Sequence, residues 1–109
     1  MENQYEKKYE VKGSLLVYEM PKELDHHVAK QLCSELDMLV ESFGIRELGL
    51  NFEKTEFMDS SGIGVVIGRC KTMQFREGKV WVSHLNQRIK LLFQSVGLQK
   101  LVEVKGEEV

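Results

Sequence analysis

Residues 46–64 read Arg-Glu-Leu-Gly-Leu-Asn-Phe-Glu-Lys-Thr-Glu-Phe-Met-Asp-Ser-Ser-Gly-Ile-Gly, and the fold turns on how this stretch is read. Leu48, Leu50 and Phe52 alternate over residues 46–52, the period of a β-strand with at least one buried face. Residues 53–56 then make a turn. Beyond Phe57 and Met58, Asp59-Ser60-Ser61-Gly62 opens a helical pattern carried by Ile63, Val66, Ile67, Cys70 and Met73 and ending near Gly78. Strands alternating with helices imply right-handed parallel crossovers.

Working outward, a strand is predicted at residues 80–83. A helix follows from about Asn86, with Ile89, Leu92, Phe93 and Val96 at helical spacing and Gly97 as its stop. A last strand is expected over 101–104, with polar, frayed residues from Lys105 to Val109. Toward the N-terminus, residues 4–12 and 14–19 are β-prone runs joined at Gly13, and Pro21 limits the second. From Val28 the apolar positions Leu32, Leu36, Leu39, Val40 and Phe43 mark a helix, with Asp25 placed to cap it and Gly44 just past its end. The order ββαβαβαβ predicts an α/β fold, a mixed and mostly parallel sheet layered with helices.

The 109 residues fit one domain spanning 1–109, with no repeat, linker or low-complexity tract to divide it. Fifteen Lys and Arg against 17 Asp and Glu give a formal charge of -2, which lacks the positive excess that phosphate-backbone binding requires, so no direct DNA contact is expected. The apolar run around Gly62–Gly68 is too short for a membrane span. The charged start, Met1 to Glu10, has no apolar signal core, and a cytoplasmic protein is expected. Cys33 and Cys70 lie in apolar helical patterns and match no zinc or redox spacing, which favours buried free thiols. His26 and His27, adjacent on a helix, should diverge and form a surface pair rather than a metal site with His84. Trp81 and Met73 read as core or half-buried residues, while Glu6, Lys7, Lys8, Glu107 and Glu108 read as solvated surface.

Chemistry concentrates at Phe57 to Gly64, where a strand, a short turn and a helix start bring hydroxyls and a carboxylate to an exposed strand end, the place where open α/β sheets build sites. Helix-start amides and the positive dipole end could receive an anion, and a phosphate on Ser60 would lie near both. Gly62 and Gly64 would let another backbone approach. From spacing alone the plainer reading is favoured, in which Ser60 or Asp59 caps the helix and the glycines ease packing. Gly64 and Gly68 suggest close packing of helix on sheet. A nucleophile elbow is half absent, because Met58 stands where a glycine is needed before Ser60. The glycine spacing also misses a dinucleotide loop, and no Gly-Lys-Ser/Thr follows for a P-loop.

Two separated motifs, Glu23-Leu24-Asp25-His26-His27 and the run from Phe57 to Arg69, together resemble the anti-sigma factor antagonists of the STAS domain family. The wording is most similar to the sporulation type, which acts on the forespore sigma factor, with the general-stress type as the alternative. The resemblance covers essentially the whole chain. It implies a partner-switching protein: unmodified, it would bind an anti-sigma factor serine kinase and release the sigma factor, and phosphorylation at Ser60 would reverse this. Asp59, Ser61 and Gly62 would shape the turn, Asp25 would lie on the adjacent partner-binding loop, and Ile63 and Gly64 would extend the contact. The kinase would supply ATP and magnesium and a PP2C-type phosphatase would restore the serine, so the chain itself would have no catalytic residue, cofactor or metal. The free protein is expected to be a monomer. A glycine usual before Glu-Leu-Asp in that family is replaced here by Pro21-Lys22, which puts the backbone of this loop in question. A non-switching STAS interaction module and a small enzyme with Ser60 as nucleophile are the rival readings. The latter has no histidine placed by sequence as its base.

Overall fold

The computed structural model describes residues 8–106. A hairpin of β1 (Tyr9–Lys12) and β2 (Leu15–Glu19) leads through β3 (Glu23–Leu24) into α1 (His26–Phe43). Then follow β4 (Glu47–Asn51), β5 (Phe57–Met58), α2 (Ser60–Phe75), β6 (Lys79–Ser83), α3 (Gln87–Ser95), a 3₁₀ turn at Leu98–Lys100 and β7 (Glu103–Lys105). The main sheet runs β1-β2-β4-β6-β7, antiparallel only at β1-β2 and parallel elsewhere. A separate parallel pair joins β3 to β5.

The crossovers from β2 to β4 to β6 to β7 all step in one direction across the sheet. Right-handed connections of that kind stack their helices on a single face. The side chains follow this arrangement: Leu16, Leu48 and Val80 align in register, as do Tyr18, Leu50 and Val82, and all six are buried. Phe93 of α3 meets Phe52 edge-on with centroids 6.0 Å apart, which places α3 over the same face. On the opposite face the Trp81 ring lies across Gly49, where a Cβ would overlap it. That ring donates from Nε1 to Glu47 at 2.8 Å and carries the Lys105 ammonium 4.7 Å from its centroid.

The first helix begins as expected, at His26 directly after its cap Asp25, whose carboxylate accepts from the amides of His27 and Val28 at 3.0 and 3.2 Å. It ends at Gly44, in the left-handed conformation with φ 62°. Several expectations need correction. Phe43, counted on its apolar stripe, is 49% exposed. The last strand is 103–105, since a 3₁₀ turn takes up 98–100 and Leu101 faces out. Lys105 is therefore a strand residue rather than frayed. Val96 caps the end of α3 and is exposed instead of packing. Ile67, Cys70 and Cys33 are half-buried, while Val65 and Arg69 are buried in their place, because α2 packs against both α1 and β6. Met73 is buried and Trp81 half-buried. Of the first predicted strand, residues 4–7 lie outside the described residues, as do Glu6, Lys7, Glu107 and Glu108.

Arg69 links the two helices, its Nε 3.2 Å from Asp37 Oδ1 on α1. Beneath the hairpin, Tyr18 is 2% exposed and stacks with Tyr9. Burial, then the hydrogen bond that its hydroxyl donates to Glu35, raises its pKa well above the ordinary 10.0. Burial likewise raises that of Cys70 above 9.0. In both cases the native state keeps a proton that the unfolded chain gives up. Stability is thus whole below about pH 9 and falls as pH rises, by up to about 1.4 kcal/mol per unit for each group. Chemical denaturation from pH 8 to 11 should show this slope, with a smaller one in Tyr18→Phe.

Candidate functional site

Two copies of one local device build the site. A two-residue strand, an aspartate and a helix occur as Glu23-Leu24-Asp25-α1 and again as Phe57-Met58-Asp59-α2. In each the aspartate has extended backbone and its carboxylate accepts a helix-start amide, His27 and Val28 for Asp25, Ser61 at 2.8 Å for Asp59. Such caps satisfy amides that the first turn leaves unpaired. The strands pair in parallel with Leu24 opposite Met58, and the Asp59 amide donates to the Leu24 carbonyl at 3.2 Å. Two capped helix starts therefore stand side by side, with Ser60 as the first residue of α2.

Ser60 and Gly64 are exposed, while Asp25, Asp59 and Ser61 are half-buried. Their placement brings the expected Asp25 loop beside the expected serine turn. Gly62 and Ile63 follow the plainer reading of the spacing, a packing glycine and a core position of the helical pattern. Ile63 is 6% exposed and belongs to the core, so it offers a partner no side chain. A Cβ on Gly62 would overlap the Met58 side chain and approach Leu24 Cδ2 at 3.1 Å, so this glycine serves the packing of α2 on the β3-β5 pair. Gly64 meets nothing within 4 Å, nor does Gly68, so neither packs on the sheet. Ser60 and Gly64 are one helical turn apart and leave the start of α2 low and accessible.

The Pro21-Lys22 departure has a plain resolution. Among the described residues the non-glycine positions with positive φ are Glu77 and His84, so Lys22 keeps an ordinary backbone. Its carbonyl accepts the amides of Glu56 and Phe57 at 2.8 and 3.2 Å, which starts the β3-β5 pairing. Sequence reasoning missed this pairing and the groups that pin it. The buried Thr55 donates from its hydroxyl to the Pro21 carbonyl at 2.8 Å, and Asn86 Nδ2 donates to the Thr55 carbonyl at 3.1 Å. A threonine in a polar turn next to a strand gave the one hint. Also missed was Phe57, 45% exposed and paired with Glu23 on the surface leading to Ser60.

The His26 and His27 rings lie 4.1 Å apart, tilted by 35°, rather than diverging, on the exposed start of α1. Among the described residues no three His, Cys, Asp or Glu converge as a metal site, and no helix is long and apolar enough to cross a membrane. Asp59→Ala removes the α2 cap and should cost about 1 kcal/mol, read as a lower denaturation midpoint with an unchanged slope.

The STAS domain model matches residues 6–108. An anti-sigma F factor antagonist of Paenibacillus polymyxa is 30% identical over 95 residues, 87% of this chain and 81% of that one. An anti-sigma-B factor antagonist of Staphylococcus aureus (strain NCTC 8325 / PS 47) is 33% identical over 107 residues, 95% of this chain and 90% of that one. The Bacillus antagonist SpoIIAA is similar in structure at 28% identity and 91% coverage of this chain. Its unphosphorylated form gives a TM-score of 0.79 over 87% of that chain, and its phosphorylated form 0.72 over 90%. With its fold, its paired helix starts and these relatives, the chain belongs to the STAS domain family, and its relatives there are anti-sigma factor antagonists.

Proposed function

We propose that the chain is an anti-sigma factor antagonist that works by partner switching, with Ser60 as the phosphorylated residue. Unmodified, it binds an anti-sigma factor kinase and frees the sigma factor. Phosphorylated, it lets go, and a PP2C-type phosphatase resets it. The observation that carries this reading is the exposed Ser60 hydroxyl at the start of α2, beside the capped start of α1. A kinase can reach it, and the helix dipole favours the added charge. That SpoIIAA exists in unphosphorylated and phosphorylated forms supports the same reading. The kinase brings ATP and magnesium, and the chain contributes a surface rather than a catalytic group.

The test is intact-mass analysis with peptide mapping after incubation with the cognate kinase and magnesium ATP, beside Ser60→Ala. One phosphate on Ser60, absent from the variant, is the expected result. No phosphate with an active kinase that binds the chain would leave a non-switching STAS module.

The sporulation pathway is the one proposed, on the motif wording and the Paenibacillus relative. The stress pathway is favoured by the Staphylococcus relative, which is 33% identical over 107 residues against 30% over 95. Offering the chain both kinase types in one competition assay separates the two.

A further inference from the structure

The surface around Ser60 is short of side chains that could hold a partner. Ile63 is buried, Gly62 and Gly64 have no side chain, Ser60 and Ser61 are small, and the carboxylates of Asp25 and Asp59 already accept helix-start amides. A stable protein contact draws most of its affinity from a few large side chains covered near its centre, with aromatic residues enriched among them. Phe57 is such a side chain. Alternation along the paired strands sends Leu24 and Met58 into the core, 0% and 9% exposed, and turns Glu23 and Phe57 outward. The ring stays 45% exposed, and only Met58 and Asp59 separate it from Ser60 along the chain. Charged groups border it: Glu23 pairs across from it, and the adjoining Glu56 lies 4.0 Å from Lys22 in an ion pair whose side chains are 72% and 68% exposed. An apolar centre inside a charged, solvated rim is the usual composition of a protein-protein contact. The other large exposed apolar side chains described lie further along the helices or past α3, as Phe75 does at the end of α2.

We infer that Phe57 is the apolar anchor of the partner contact, seated in an apolar pocket of the anti-sigma factor, while Ser60 acts as the release. The inference rests on the function proposed for Ser60 and divides its labour. Covering the ring removes apolar surface from water, which favours the complex whatever the state of the serine. A pocket of that kind offers a phosphate no cation, so modification of Ser60 only subtracts from the contact. Affinity and switching thus belong to different side chains of one continuous surface.

The test titrates the full-length chain with the cognate anti-sigma kinase and ADP by calorimetry, and follows Ser60 phosphorylation kinetics with magnesium ATP, for the unaltered chain, Phe57→Ala and Phe75→Ala. Phe57→Ala is expected to weaken binding roughly thirtyfold, the worth of covering the exposed part of one phenyl ring. KM for Ser60 phosphorylation should rise with kcat unchanged, the sign of lost uniform binding, whereas a merely structural role in placing Ser60 would lower kcat. Phe75→Ala, which removes a ring 92% exposed at the far end of α2, should change neither. A loss under about fivefold for Phe57→Ala, an equal loss for Phe75→Ala, or a lowered kcat at constant KM would overturn the anchor. Thermal denaturation shows whether the variants are folded. If Phe57→Ala is not, nuclear Overhauser contacts between the Phe57 ring and partner methyl groups in the unaltered complex decide, their presence expected and their absence overturning the assignment. An unaltered chain that neither binds the kinase nor is phosphorylated would overturn the reading of Ser60 and the anchor with it, whereas normal phosphorylation with undiminished binding of Phe57→Ala would overturn the anchor alone.

Discussion

Phosphorylated at Ser60, the chain is expected to bind its anti-sigma partner at least about a hundredfold more weakly than the unmodified chain, with its own fold unchanged. The affinity argument is one of desolvation and repulsion. Ser60 is exposed in the free protein and would be covered by a partner seated on the two helix starts. A phosphate adds roughly two negative charges, and taking them from water beside the half-buried Asp25 and Asp59 carboxylates costs several kcal/mol where no cation answers them. About 2.8 kcal/mol suffices for a hundredfold loss. In the free protein the same group stays solvated at the positive end of α2, so the sheet and core have no reason to move. Ser60→Ala should bind persistently and Ser60→Asp weakly, measured by calorimetry with the kinase and ADP. Equal affinities of these two variants would sink the proposal, and an altered amide spectrum of the phosphorylated chain beyond the site would contradict the local switch.

Gly78→Ala is expected to cost about 3 kcal/mol, a large share of the stability of so small a domain. A Cβ at Gly78 would overlap the Arg46 carbonyl oxygen and sit 2.9 Å from the Met73 methyl. The methionine end can swing aside, but the carbonyl is backbone. It accepts the Lys79 amide at 2.9 Å, the first bond of the β4-β6 pairing, and cannot retreat without loosening the middle of the sheet. Gly64→Ala is the comparison, since that Cβ would meet nothing within 4 Å and alanine favours the helix, so a slight gain is expected. Thermal denaturation of the two variants should separate them by on the order of 15 °C. A Gly78→Ala chain as stable as the unaltered one would mean that the strand ends yield more easily than this packing implies.

Much of this was legible beforehand, where local physics decides. The alternation of Leu48, Leu50 and Phe52 and the helical spacing from Leu32 to Val40 required a strand and a helix, because a half-buried surface has one period in each. Asp25, Asp59 and Asn86 each precede a helix and each caps it, since a side-chain oxygen answers an amide two or three residues on. The serine turn stood out for the same local reason.

What failed was whatever depends on a distant neighbour. Residues of identical type, Gly62, Gly64, Gly68 and Gly78, turned out tight or open according to which element lay opposite. The partner contact that the resemblance implies for Ile63 gets no side chain from it, because the packing of α2 holds that side chain in the core, the side its helical spacing predicts. The two-residue strands β3 and β5 are too short to show a period, and 32 residues of chain separate Leu24 from Phe57. Their pairing forms because α1 and β4 return the chain to Lys22, whose carbonyl then meets two amides. Local patterning dictated the helices, most of the main-sheet strands, the caps and the serine turn. Tertiary structure decided which faces are covered and set two helix starts side by side, because burial and long-range pairing belong to pairs of segments that a single stretch of chain does not contain.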